Sequence, residues 1–200
     1  MRHAASRQLH AYWDALRGGR AAPGRDEIDP AAIRGVLASV FMLDVAALPL
    51  PRPADATFSL SGTRIDALFG RLLRGSTFDS IWDPRSAALA AAALDAALGG
   101  GRPVVAAARG GPPGRGAIDV ELLLLPLASG AGRRARVLGS LGAASAPDWM
   151  GLSAAAPLDL KALGEPRLAP RAPDFGRRVA RPFAPHPGGR REPPHPPGRA

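Results

Sequence analysis

Residues 58–82 read FSLSGTRIDALFGRLLRGSTFDSIW, and this stretch constrains the chain more than any other. Phe58 and Leu60 alternate with Thr57, Ser59 and Ser61, the period of two expected of a half-buried strand. Gly62-Thr63 breaks the strand, and Thr63 is a candidate cap for the helix that follows. Ile65, Leu68 and Phe69 then share one helical face, and Gly70 reads as a left-handed stop. A basic link leads through Gly75 to Phe78, Ile81 and Trp82. Helices this short are unstable alone, so the stretch demands a sheet behind it.

The rest of the chain supplies strands. Val40 to Val45 is an apolar run suited to a central strand buried on both faces. Residues 46–56 hold Pro49, Pro51 and Pro53 and read as a long hairpin connection, because proline cannot donate to a ladder. Residues 102–109, 117–128 and 135–141 read as three strands joined by glycine-rich turns, an antiparallel meander. In the middle one Ile118, Val120 and Leu122 face one way, with Asp119 and Glu121 on the other side.

Helices fill the remaining segments. Over residues 6–17, Ser6 is the expected N-cap, and Leu9, Tyr12, Trp13 and Leu16 form one apolar stripe. Asp29-Pro30 and Asp83-Pro84 both read as helix starts, with aspartate capping and proline at the first position. The first of these helices presents Ile33, Val36, Leu37 and Val40. The second runs to about Leu98 with Ala87, Ala91, Leu94 and Leu98 on one side, favoured by its alanines. Strand pairs around a helical middle argue an α+β class with an antiparallel sheet.

The chain has no cysteine, which excludes disulfides, iron–sulfur clusters and thiolate metal sites. Its net charge is +9. Nine cations against three acids lie from residue 161 onward, so most of the excess sits at the C-terminal end. From about Leu163 the sequence is proline, arginine and glycine, too poor in apolar residues to offset its ordering entropy, and reads as a disordered tail. The N-terminus shows no signal peptide, and Leu122 to Leu127 is too short to cross a bilayer. A cytoplasmic setting is expected.

The order and the motifs resemble PAS domains, and more narrowly a bacterial family of single-domain PAS-like proteins. The carrying segments are LHAYWDALRGGR at 9–20, DEIDPAAIRGVLASVFMLDV at 26–45, the 58–82 stretch, and GSLG at 139–142. The resemblance implies a five-stranded antiparallel sheet with short helices and one longer helix on one face. It also implies a sensory or adaptor role in signal transduction rather than catalysis. The expected organisation is an N-terminal helical extension over 1–38, the PAS-like domain over 39–146, a docking segment over 147–162 and the tail over 163–200.

Candidate site residues follow. In a PAS arrangement Phe69, Phe78, Ile81 and Trp82 point into the hollow of the sheet opposite Leu122, Leu124 and Leu141, as plain core or as the wall of a small-molecule pocket. Arg64 and Arg71 lie near the same region, as contacts to an acidic ligand group or as solvated surface. Leu9, Tyr12, Trp13 and Leu16 form a candidate partner surface for a signalling protein or a second copy, or else dock on this chain's own sheet. Asp44 is a candidate partner for the N-terminal segment or Arg25.

Haem binding would need a histidine on the helix after Asp83, and flavin photochemistry a cysteine; the sequence has neither. No cofactor is expected. There is no phosphate-binding glycine motif. His3, His10, His186 and His195 sit near the ends without a triad or ligand set around them, so no catalytic residue or metal site is assigned. The alternative function is a nucleic-acid-associated regulator using Arg177, Arg178, Arg181, Arg190, Arg191 and Arg199.

Overall fold

The computed structural model describes residues 1–46, 55–128, 134–143 and 145–164. All belong to one unit, Met1–Pro170, while a second unit, Arg171–Ala200, falls outside the described residues, as do the tail arginines. The elements are α1 (Ala4–Arg17), β1 (Val40–Val45), β2 (Ala56–Ser61), α2 (Thr63–Phe69), α3 (Ala87–Gly99), β3 (Val104–Gly110), β4 (Ile118–Leu127), β5 (Ala135–Ala143) and β6 (Asp159–Gly164). They form one sheet in the order β2-β1-β5-β4-β3-β6. Each pairing between strands is antiparallel.

The sheet therefore has six strands where five were expected. The sixth carries its own signal, Leu158 and Leu160 alternating with Asp159 and Lys161. It pairs with β3 through Ala106–Leu163, Ala107–Ala162 and, past a bulge, Ala108–Leu160. The docking segment expected over 147–162 thus ends in a strand that runs on into the expected tail.

Two cores flank the sheet. On the inner face Phe41, Leu43, Phe58, Leu122, Leu124 and Leu141 pack under α2, the 3-10 turn Phe78–Ile81 and α3. On the outer face Val40, Met42, Leu123, Leu125, Leu127 and Leu138 pack under α1 and the Ile28–Val36 segment. Strands β1 and β4 feed both cores through strict alternation of side chains, which is why their sequences read as unbroken apolar runs.

Two helices differ from expectation. From Asp29 the chain makes successive three-residue turns, Ala32 N–H to Asp29 O at 3.2 Å and Val36 N–H to Ile33 O at 2.9 Å, and not an α-helix. Asp29 still caps, accepting from Ala31 N–H at 2.8 Å. Ile33 and Val36 are both buried on the outer face, and a spacing of three stacks such side chains in a 3-10 turn. Gly35 lowers the helical preference further. In α3 the buried residues are Ala90, Ala93, Leu94 and Ala97, while Ala87 is exposed. The helix is apolar almost all round, so its periodicity cannot announce which side the sheet will take.

The closest approach within the sheet lies at Gly139 of β5. It pairs with Phe41 across the strands, and a Cβ there would stand 2.3 Å from Phe41 Cζ and 2.7 Å from Leu123 O. The Phe41 ring occupies the space of the missing side chain. Gly139→Ala is expected to destabilise the fold by about 1–3 kcal/mol, the usual cost of overpacking. An unchanged urea midpoint for that variant would show that the ring moves aside freely.

Candidate functional site

The hollow of the sheet is built by the 58–82 stretch. At Gly62 the chain turns from β2 into α2 directly against the preceding turn: a Cβ would lie 2.3 Å from Leu37 O and 2.5 Å from Ala38 O. Gly62, not Thr63, occupies the N-cap position, and no side chain caps the helix. Gly70 ends α2 at φ 61° with its N–H on Asp66 O. Asp66 then folds the following loop back, its Oδ1 accepting from Ser61 Oγ at 2.7 Å and Leu73 N–H at 3.1 Å. Gly75 N–H donates to Phe58 O at 2.8 Å, and Phe58 N–H to Ser76 O at 2.9 Å, so the loop closes the outer edge of β2.

These anchors deliver Phe78, Ile81 and Trp82 into the hollow, where they are buried with Phe69, Leu122, Leu124 and Leu141. The rings fill it. Phe78 lies 6.1 Å from Phe58, 6.4 Å from Phe41 and 5.5 Å from Trp82, centroid to centroid. Trp82 is held from behind by Leu158, the residue before β6, with Asp83 N–H on Leu158 O and Leu158 N–H on Ile81 O, both at 2.8 Å. It is only 4% exposed, and its Nε1–H has no hydrogen-bond partner among the described residues.

Arg64 does not join this group. It is exposed on the first turn of α2. Arg71 is also outside, its guanidinium donating to Ser76 Oγ at 2.8 Å and Ser80 Oγ at 3.0 Å. Asp44 bonds Arg136 Nε at 2.9 Å, a cross-strand partner on β5 and neither of the partners expected.

The apolar stripe of α1 turns inward. Leu9, Tyr12 and Trp13 are buried on the outer face of this chain's own sheet, and Leu16 packs beside them. This is the second of the two placements expected, docking on the chain's own sheet. Trp13 Nε1–H donates to Pro126 O at 2.8 Å. His10 is buried in the same interface, which pushes its pKa down, and its Nδ1 has no partner among the described residues.

The start of α1 is capped from across the fold. Ser6 was expected to cap; its Oγ instead lies 3.2 Å from Ser140 Oγ inside the interface. Glu121 of β4 takes the capping role, accepting Arg2 N–H at 2.6 Å and His3 N–H at 3.3 Å. Beside it an open groove of about 840 Å³ runs over β3, β4 and β6, walled by Arg2, His3, Arg109 and Lys161 and floored by Ala107 and Ala162. Sequence reading missed this groove because one of its sides is β6. Among the described residues no three of His, Asp and Glu gather as a metal site. No helix among them is long and apolar enough to cross a membrane.

Known proteins place this geometry. A family model described as PAS domain matches residues 1–142. The chain belongs to the PAS family. PAS domains are in general sensory signalling modules, typically without catalysis of their own. No curated protein matches this chain. Among solved structures, one from a study of the light-oxygen-voltage domain mechanism with a flavin analogue is similar, at 14% identity and a TM-score of 0.41. It covers 61% of this chain and 87% of its own.

The cap of this PAS domain predicts a pH dependence. Burial pushes the Glu121 carboxyl up, but the N–H groups of Arg2 and His3 and the Ser6 hydroxyl outweigh it, and the net pKa falls below the ordinary 4.5. A carboxylate with a depressed folded pKa contributes stability above its unfolded pKa and loses it as pH falls toward the folded one. Glu121→Gln is expected to cost about 1–3 kcal/mol at neutral pH, since it removes a charge-assisted acceptor from a buried site. The difference from the parent should shrink as pH falls through and below 4.5. Urea titrations of both proteins across that range read it; a gap that stays constant to pH 2 or so would remove Glu121 from the acid-linked stability.

Proposed function

We propose that this PAS domain is a non-catalytic sensory or adaptor module of bacterial signal transduction, cytoplasmic, which passes its state to a signalling protein or a second copy by surface contact. The observation that carries this reading is the filled hollow, in which Phe41, Phe58, Phe78 and Trp82 pack ring against ring. Such a core leaves the surface to carry specificity. Coupling between the two sides of the sheet is direct: β4 supplies Leu122 and Leu124 to the inner core, Leu123 and Leu125 to the outer one, and Glu121 to the cap of α1. A shift of that strand alters both faces together, because close-packed interiors transmit displacement.

A second reading, a small-molecule pocket walled by Phe69, Phe78, Ile81 and Trp82, is favoured by one observation. The Trp82 Nε1–H is a buried donor without an acceptor among the described residues, and buried polar groups are ordinarily paired. A ligand entering the hollow with an acceptor atom would satisfy it.

Native mass spectrometry of freshly purified protein decides between them. The adaptor reading expects the bare polypeptide mass; a retained small molecule overturns it. Trp82→Phe gives the companion test. In an empty protein it removes an unpaired donor, which offsets part of the smaller cavity it opens, so the melting temperature falls little, whereas Trp82→Ala lowers stability by about 3–5 kcal/mol through the cavity it opens. If the indole N–H anchors a ligand, Trp82→Phe should strip that ligand from the purified protein.

A further inference from the structure

We propose that the seam between the end of α2 and the 149–155 loop is a docking patch for an acidic amphipathic segment of a partner protein, an inference that rests on the adaptor reading and specifies its surface. Backbone bonds build the seam: Gly151 N–H donates to Ala67 O at 3.3 Å and Ala155 N–H to Leu68 O at 2.8 Å. Gly70 abuts the loop, where a Cβ would stand 3.0 Å from Ala154 Cβ. Leu152 therefore sits on a loop tied down on both sides, and Leu72 on the chain that leaves Gly70.

Both leucines face solvent, Leu72 at 78% and Leu152 at 81% exposure. The anchoring of these loops is done by other residues, since Leu73 and Trp149 are buried in the inner core. A single exposed leucine is ordinary. Two on mutually bonded segments leave apolar side chains at this seam that the fold itself does not use.

The charge around the patch selects the occupant. Arg64, Arg71 and Arg74 are exposed, and none has an ion-pair partner among the described residues. Arg71 donates to serine oxygens, which are neutral. Asp66, the one acid in residues 64–74, is turned inward to Ser61 and Leu73. Apolar anchors beside uncompensated guanidinium groups match a segment that carries leucine-like side chains flanked by Asp or Glu, with the carboxylates steering encounter. A second copy fits poorly, because an isologous contact would set the same cations against one another.

The test uses the full chain and a displayed library of random short peptides, depleted first on the L72S/L152S double variant. Both changes are at exposed positions, so that variant should melt with the parent. Recovered peptides are expected to combine Leu, Phe or Met with Asp or Glu. They should weaken about tenfold or more on L72S/L152S, weaken on R64E/R74E, and weaken with added salt. Failure to recover any peptide, or peptides without acidic residues, overturns the patch. So do a dimer dissolved by L72S/L152S and binding to anionic vesicles lost in the same variant. Peptides from an undepleted selection that bind parent and variant alike also overturn it, while leaving the adaptor reading in place. That reading falls instead on a small molecule retained in native mass spectrometry, an outcome this selection does not touch.

Discussion

The Phe41 ring lies in the gap left by Gly139, and the inner half of the structure is stacked on that contact. Phe58 meets Phe41 edge to face at 5.5 Å, and Phe78 closes over both. Through Phe78 the stack reaches Trp82, and through Trp82 it reaches the start of β6. Any side chain at position 139 would lift the ring and disturb each layer above it. The chain has few aromatic residues and a core rich in alanine, so these rings carry a large share of the apolar area it can bury.

The two faces of the sheet behave differently. The inner one is closed by short helices that Asp66, Gly70 and Gly75 fold into place. The outer one is only partly covered, because α1 spans one portion while β3 and β6 leave alanines and charged side chains open beside it. What joins the faces is β4, whose carboxylate at Glu121 holds the two residues that lead into α1. A sensory module needs an element whose displacement is felt on both sides, and a strand that feeds two cores is such an element.

Much of this was legible in the residues. Period-two alternation marked β2 and β4, unbroken apolar runs marked the doubly buried strands, and Asp83-Pro84 marked the entry to α3, where Asp83 indeed accepts Arg85 N–H at 2.9 Å. Gly70 was readable as a left-handed stop. The aromatic group of the hollow was readable as inward-facing, though Arg64, placed with it by proximity in sequence, points to solvent. The sixth strand was legible in principle, but its alternation is short and runs straight into the proline- and arginine-rich tail. The face of α3 was illegible, since a helix of alanines shows the same surface all round.

Most of the local geometry is therefore what the sequence by itself determined: the first five strands, the helices α1 to α3, the glycine and aspartate that end or begin several of them, and that an antiparallel α+β fold results. Those features depend on backbone periodicity within a few residues of each other. Tertiary structure alone decided that Glu121 would cap a helix 118 positions away at His3, that Asp44 would choose Arg136, and that Leu72 and Leu152 would be left outside while Leu73 and Trp149 went in. Each of these is a contact through space between groups with no shared period. Only the assembled sheet brings such groups within reach of one another.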